Sequence, residues 1–221
     1  MKKQLSSNEY RLKAAARARF DFAVIADWIP PGEHILDLGC GDGTLLRYLR
    51  ENKQVSGYGV EIDPARVLAC INNGVNVIQT DIERGLSGFG DLAFNHVVIS
   101  QALQAVHATE RILAEMLRVA EEAIVSFPNF AYRDNRTAIA SGHMPVSEDL
   151  PYEWYDTPNV RFFTIADFET LCDKMQINIR ERIAFDEHGQ AVLDDPNLNG
   201  SLAFYRLSAN PSAKPSKQHA A

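Results

Sequence analysis

The feature that most constrains this chain is the run Ile35-Leu36-Asp37-Leu38-Gly39-Cys40-Gly41-Asp42-Gly43-Thr44, in which an apolar stretch breaks into three alternating glycines. Such a run predicts a buried strand that turns sharply into a helix, because glycine takes left-handed backbone at no steric cost. A turn of this kind leaves backbone N–H groups at a helix start, where they meet a small anionic group. A second apolar run, Tyr58, Val60 and Ile62, carries Glu61 at its tip. In a right-handed βαβ unit the two strand ends lie side by side at the carboxyl edge of a parallel sheet. An acid placed there accepts hydrogen bonds from both hydroxyls of a ribose. Together the two runs predict a nucleoside ligand that carries a compact charged group.

The glycine spacing separates this ligand from a dinucleotide. Gly39-x-Gly41-x-Gly43 is not the G-x-G-x-x-G that admits a pyrophosphate, and Asp42 would repel phosphate. An aminoacyl sulfonium nucleoside fits better, its carboxylate meeting the glycine-rich backbone and its ammonium meeting Asp37. The stretch resembles motif I of class I S-adenosylmethionine (SAM) methyltransferases, E/D-x-G-x-G-x-G. That resemblance implies an α/β, Rossmann-like fold: a seven-stranded, mostly parallel sheet with helices on both faces and an antiparallel edge hairpin. It also implies SAM or S-adenosylhomocysteine as the ligand.

Composition narrows the partners. With 221 residues, 46% hydrophobic and 23% charged, the chain buries a full α/β core, and a single domain is expected. A formal net charge of −7 disfavours nucleic acid, whose phosphates would meet like charge. Met1-Lys2-Lys3-Gln4-Leu5-Ser6 leads into no apolar segment and no stretch has the length of a membrane span, so a cytoplasmic protein without a membrane partner is expected. Cys40, Cys70 and Cys172 form no CxxC pair, so neither a disulfide framework nor a metal site is predicted. Cys40 is expected to be small because the ligand packs against its backbone.

Strands and helices alternate along the chain, which predicts a parallel sheet. A helical pattern from Tyr10 to Trp28 stops at Ile29-Pro30-Pro31-Gly32. Leu45, Leu46 and Leu49 form one helical face, and Asp63-Pro64 opens the next helix with a cap and a proline at its first position. Val75–Gln79, Phe94–Ile99 and Ala123–Phe127 are further strands, separated by a helix from Thr109 to Ala120. Thr164-Ile165-Ala166-Asp167 has the form of a reciprocal helix cap. Ile177–Phe185 and Ser201–Leu207, joined without a long helix, make the antiparallel edge. The expected organisation is a partly disordered start over 1–16, one domain over 17–207 with an insert at about 129–160, and a disordered tail over 208–221.

Each candidate residue then takes a place at the sheet's carboxyl edge. Asp37 holds the ligand's amino group, and Gly39, Cys40, Gly41 and Gly43 line its carboxylate and thioether. Glu61 accepts from the ribose with Ile62 along the adenine. Asp81 accepts from the adenine amine with Ile82 beside it, and Ser100 or Gln101 closes the site near the sulfur. His34 and His96 sit at strand starts on the opposite edge, while His107 follows the fourth strand on the ligand side. No catalytic base stands out, and methyl transfer from a sulfonium to a good nucleophile needs alignment more than acid–base help. The N-P-P-Y signature of methyltransferases acting on nucleic-acid amines is absent after the fourth strand, where Ser100-Gln101-Ala102-Leu103 stands.

Further segments resemble the methionine biosynthesis protein MetW family. They are Phe20-Asp21-Phe22 with Trp28-Ile29, Val60-Glu61-Ile62-Asp63, Gln79-Thr80-Asp81-Ile82-Glu83, Ser100-Gln101-Ala102-Leu103-Gln104 and Ser126-Phe127-Pro128-Asn129-Phe130. The most specific runs from Gly142-His143-Met144-Pro145-Val146 to Leu150-Pro151-Tyr152-Glu153-Trp154-Tyr155-Asp156-Thr157-Pro158-Asn159. Departures are Ala102, where the family usually has threonine, and Ala131 in Phe130-Ala131-Tyr132, where it often has glycine. The resemblance implies a role in methionine biosynthesis beside homoserine O-acyltransferase, as an accessory or activating partner that binds SAM or S-adenosylhomocysteine. It leaves open a methyltransferase acting on a small metabolite. Tyr152, Trp154, Tyr155 and Arg161 are of types that anchor interfaces, so the insert is expected to be a partner surface or a lid.

Overall fold

The structure, a computed structural model, describes residues 20–210. The expected disordered start, the first half of the opening helix and the tail beyond Asn210 lie outside those residues. Helix α1 is described over 20–28. Thereafter β1 (His34–Leu38), α2 (Thr44–Lys53), β2 (Ser56–Glu61), α3 (Pro64–Asn72), β3 (Val77–Gln79), β4 (Phe94–Ser100), α4 (Thr109–Val119) and β5 (Ala120–Pro128) alternate. Short 3₁₀ turns occupy Ile82–Arg84 and Leu103–Ala105. After α5 (Arg133–Ala140) come α6 (Ile165–Lys174), β6 (Ile177–Phe185), α7 (Pro196–Asn199) and β7 (Leu202–Ala209).

The seven strands form one sheet in the order β3-β2-β1-β4-β5-β7-β6. β1 to β5 pair in parallel, while β7 runs antiparallel to both β5 and β6. Side chains alternate across the strands and so feed two cores. Leu36, Leu38, Val97, Ile99, Val125 and Phe127 pack with Leu113 and Met116 of α4 and Phe168 of α6 on one face. Ile35, Val98, Ile124 and Phe204 pack with Ile25 of α1 and Leu45 and Leu49 of α2 on the other. Covering both faces is what buried parallel strands require.

The helix starts form where the capping residues place them. Asp63 accepts from the Ala65 N–H with Pro64 at the first helical position, and Thr164 and Asp167 form a complete capping box. Several boundaries differ from expectation: β3 starts at Val77 rather than Val75, and β5 runs Ala120–Pro128 rather than Ala123–Phe127, taking Ala120 from the end of α4. β7 continues through Ser208 and Ala209, which pair with Asn178 and Ile177, so the strand outlasts its apolar run by two ladder partners. The loop before it holds the short helix α7, capped by Asp195. No described helix is long and apolar enough to cross a membrane.

Asn129, fully buried at the end of β5, ties the insert to this frame. Its side-chain amide donates to the carbonyls of Asn197 (3.0 Å) and Gly200 (2.8 Å), and its Oδ1 accepts from the Ala131 and Ile165 N–H groups at 3.2 Å each. One side chain thus joins the start of the insert, α6 and the α7 loop. Asn129→Ala is expected to destabilise the fold by about 2–4 kcal/mol, since several buried polar groups lose partners at about 1 kcal/mol or more each. Asn129→Asp should cost at least as much, because it turns an acceptor toward the two carbonyls. Urea midpoints of the three proteins check this.

Candidate functional site

The site is built at the carboxyl ends of β1, β2 and β4. Gly39, Gly41 and Gly43 all have positive φ, at 69°, 59° and 76°. A Cβ on Gly39 would stand 3.2 Å from the Ala102 Cβ, so the glycine also lets the loop pass close under the end of β4. The loop folds back onto β2: the Gly39 and Cys40 N–H groups donate to the Val60 carbonyl (2.8 and 3.1 Å), and the Gly41 N–H donates to Glu61 Oε2 (3.0 Å). The Gly43 N–H donates to the Cys40 carbonyl (3.0 Å). The expectation of free loop amides is corrected here, because these four already have protein acceptors. At the start of α2, Asp42 Oδ1 accepts from the Thr44 N–H (3.0 Å) and hydroxyl (2.5 Å).

Protein packing by itself already requires a small side chain at Cys40. A Cβ on Gly59 would lie 2.4 Å from its sulfur, which also sits 3.7 Å from the Cys70 sulfur. Cys70 donates to the Gly41 carbonyl at 3.2 Å. The thiol is therefore wedged between β2 and α3. Burial, followed by the charge of Asp37, pushes the thiol far up, which disfavours the thiolate.

The acids meet where strand register levels the ends of β1, β2 and β3, with Leu38 beside Val60 and Glu61 beside Gln79. Asp37 and Glu61 are both almost wholly buried. Glu61 Oε1 accepts from the Ile62 (2.8 Å) and Asp63 (3.0 Å) N–H groups, and the exposed Arg66 guanidinium lies 4.0 Å from Oε2. Burial, and then the charge of Glu61, push the Asp37 carboxyl up to about 7. Ile62, 59% exposed, stands beside this pair. Asp81 begins the 3₁₀ turn by accepting from the Glu83 N–H at 2.8 Å, and Ile82 packs partly into the core.

On the β4 side, the Ser100 and Ser126 hydroxyls are 3.1 Å apart, and the Gln101 N–H donates to the Ser126 carbonyl at 3.0 Å. Gln101 has φ +49° and donates its side-chain amide to the buried carboxylate of Asp21 on α1. Asp21 carries no role in the sequence reading. Its signal was an acid on the stripe Asp21, Val24, Ile25, Trp28, a spacing that faces a core. His107 is exposed and its ring pairs with Glu83 at 3.4 Å. His34 and His96 lie at the amino edge, His96 between Glu33 (2.5 Å) and Glu122 (3.3 Å). Among the described residues no group of His, Cys, Asp and Glu is arranged to hold a metal ion.

The insert presents a different surface. Trp154 and Tyr155 are each 70% exposed and meet edge to face at 5.7 Å, with Met144, Val146, Tyr152 and Phe162 also exposed.

The sheet order and the glycine loop define a protein of the class I SAM-dependent methyltransferase fold. Solved structures agree. A SAM-dependent methyltransferase from Thermotoga maritima superposes with TM-score 0.67 at 18% identity, covering 92% of this chain and 95% of its own. A TehB-like SAM-dependent methyltransferase from Corynebacterium glutamicum gives 0.61 at 15%, covering 90% and 95%. One from Mesorhizobium loti gives 0.63 at 16%, covering 85% and 97%. Within that class the chain belongs to the MetW family, Methionine biosynthesis protein MetW, whose profile it matches over residues 19–207. It is 39% identical over 198 residues to the bifunctional methionine biosynthesis protein MetXA/MetW of Rhodopirellula baltica. The aligned part is 82% of this chain and 32% of that relative, so the chain spans about a third of the relative's length.

The raised Asp37 carboxyl gives a signed pH dependence. The folded state holds its proton up to about pH 7 while the unfolded chain releases it near 3.8, so this contribution to stability is full below about pH 4 and is lost as pH rises through 7. Asp37→Asn, without that titration, is expected to unfold at higher urea than the parent at pH 8 in the absence of ligand. The gain is a few kcal/mol at most, at about 1.4 kcal/mol per pKa unit. The gap should close by pH 4, and paired urea titrations at the two pH values measure it.

Proposed function

We propose that this protein binds SAM or S-adenosylhomocysteine at the carboxyl edge and serves methionine biosynthesis as an accessory partner of homoserine O-acyltransferase. The ligand reading is supported by the fit of the edge to such a molecule. Asp37 is a buried acceptor beside a second carboxylate, raised by burial and then by that neighbour's charge, and a ligand ammonium would offset both. Glu61 keeps acceptor capacity beyond its three backbone amides, because a carboxylate offers about four lone-pair sites. Ile62 and Asp81 flank the place assigned to adenine, and Gln101 the place assigned to the sulfur. SAM, when bound, supplies an electrophilic methyl group on its sulfonium. The Asp21–Gln101 pair fills the β4 side of the site with a held amide rather than a poised base.

The partner reading is carried by the relative in which MetXA and MetW share one chain. Two folded units encoded together meet at high effective concentration, which is the condition a stable partnership otherwise reaches through affinity. The insert has the composition of a contact surface: Trp154, Tyr155 and Tyr152 stand out from the fold and are interleaved with Glu148, Asp149, Glu153 and Asp156.

Two substitutions test the two halves separately. Glu61→Ala is expected to weaken SAM or S-adenosylhomocysteine binding by about 2–4 kcal/mol, at about 1.5–3 for each bond to a charged group with allowance for non-additivity. Calorimetric titration measures it, and equal affinities with an intact circular dichroism spectrum reject the ribose assignment. Trp154→Ala is expected to cost about 2 kcal/mol or more in association with the acyltransferase while leaving nucleoside affinity unchanged. Lost SAM affinity with an unchanged complex would instead make the insert a lid. A methyltransferase acting on a small metabolite would show turnover of SAM without the acyltransferase present.

A further inference from the structure

The residues assigned to the two ends of the ligand both connect to the same short segment, Val160–Arg161, at the foot of the insert. On the adenine side Asp81 and Ile82 are followed at once by Glu83. Its carboxylate accepts from the His107 and Ala108 N–H groups, the latter at 3.2 Å, and so fastens the adenine-side turn to the loop after β4. On the sulfur side the Gln104 side chain donates to the Gln101 carbonyl at 2.7 Å. The same loop then holds the insert. The Gln104 carbonyl accepts from the Val160 and Arg161 N–H groups at 3.0 Å each, and the His107 carbonyl accepts from Arg161 Nη2 at 2.9 Å. Phe162 and Phe163 continue the segment, Phe162 against Phe130 at 4.9 Å and the Phe163 carbonyl accepting from the Phe130 N–H at 3.1 Å.

We infer that ligand occupancy sets how firmly the 160–163 strap is held, and through it the presentation of the exposed aromatic face at Trp154 and Tyr155. This rests on the ligand reading proposed above. The strap belongs to no sheet ladder; its ties to the β4 loop are two backbone hydrogen bonds and one guanidinium bond, few enough for the segment to open locally. A nucleoside resting on Asp81, Ile82 and Gln101 binds best when the 3₁₀ turn and the β4 loop are in place, and so favours the state in which the strap is tied down. Linkage makes the effect mutual: a partner that binds the ordered insert tightens the nucleoside by the same factor. Glu83 is the positioning residue, since it joins the two loops without belonging to the set assigned to the ligand.

The test uses the full chain with S-adenosylhomocysteine as probe, and needs no partner. Calorimetry establishes binding, and hydrogen exchange follows the Val160 and Arg161 amides with and without saturating ligand. Their exchange is expected to slow by about 5-fold or more, the lower end of ordinary coupling between sites. Glu83→Gln and, separately, Arg161→Ala should reduce that slowing to less than about 2-fold while ligand affinity changes little. Binding with unaltered exchange at 160–161 overturns the inference and leaves the ligand reading intact, as does a full response in both variants. A flat calorimetric titration removes the ligand reading, and the coupling with it.

Discussion

The carboxylate of Glu61 holds the site in shape. One oxygen takes the Gly41 N–H and so fixes the glycine loop; the other takes the Ile62 and Asp63 N–H groups and so fixes the approach to α3. Three amides converging on one buried carboxylate give it the hydrogen-bond partners that burial takes from water. The cost appears next door, where Asp37 is raised by burial and by Glu61 together. A buried acid raised in this way marks a candidate functional site rather than a packing feature of the core.

The glycine loop contributes shape more than donors. Its amides at 39, 40, 41 and 43 turn inward to β2 or to the loop itself, leaving backbone with little side chain at the carboxyl edge. Close approach is also what Gly59 provides on the other side, where the Cys40 sulfur occupies the space a Cβ would need. The carboxyl edge is thus assembled by small residues on both strands, with the buried carboxylates of Asp37 and Glu61 at the ends of β1 and β2.

The insert follows other rules. It is anchored by polar bonds to Asn129 and Gln104 and buries few of its aromatic side chains, leaving Trp154 and Tyr155 on the outside. Trp154 and Tyr155 thus form an exposed aromatic patch set among acids. Its foot lies against the β4 loop, which joins this surface to the carboxyl edge of the sheet.

The sequence by itself determined the features that a few neighbouring residues enforce. Alternation of apolar residues set the strands, Gly39-x-Gly41-x-Gly43 set the turn, Asp63-Pro64 and Thr164-Ile165-Ala166-Asp167 set helix starts, and two β-type runs without a long helix set the antiparallel edge. Each follows from a local demand of period, φ or capping, and with the MetW segments they made the fold and family legible in advance. The tertiary structure alone decided which groups face one another. The capture of the loop amides by Val60 and Glu61, the wedging of Cys40 between Gly59 and Cys70, the bond from Gln101 to Asp21 and the hold of Gln104 on Val160 all join residues far apart in the chain. No periodicity marks such pairs, because they exist only once strand order and register have brought their elements together.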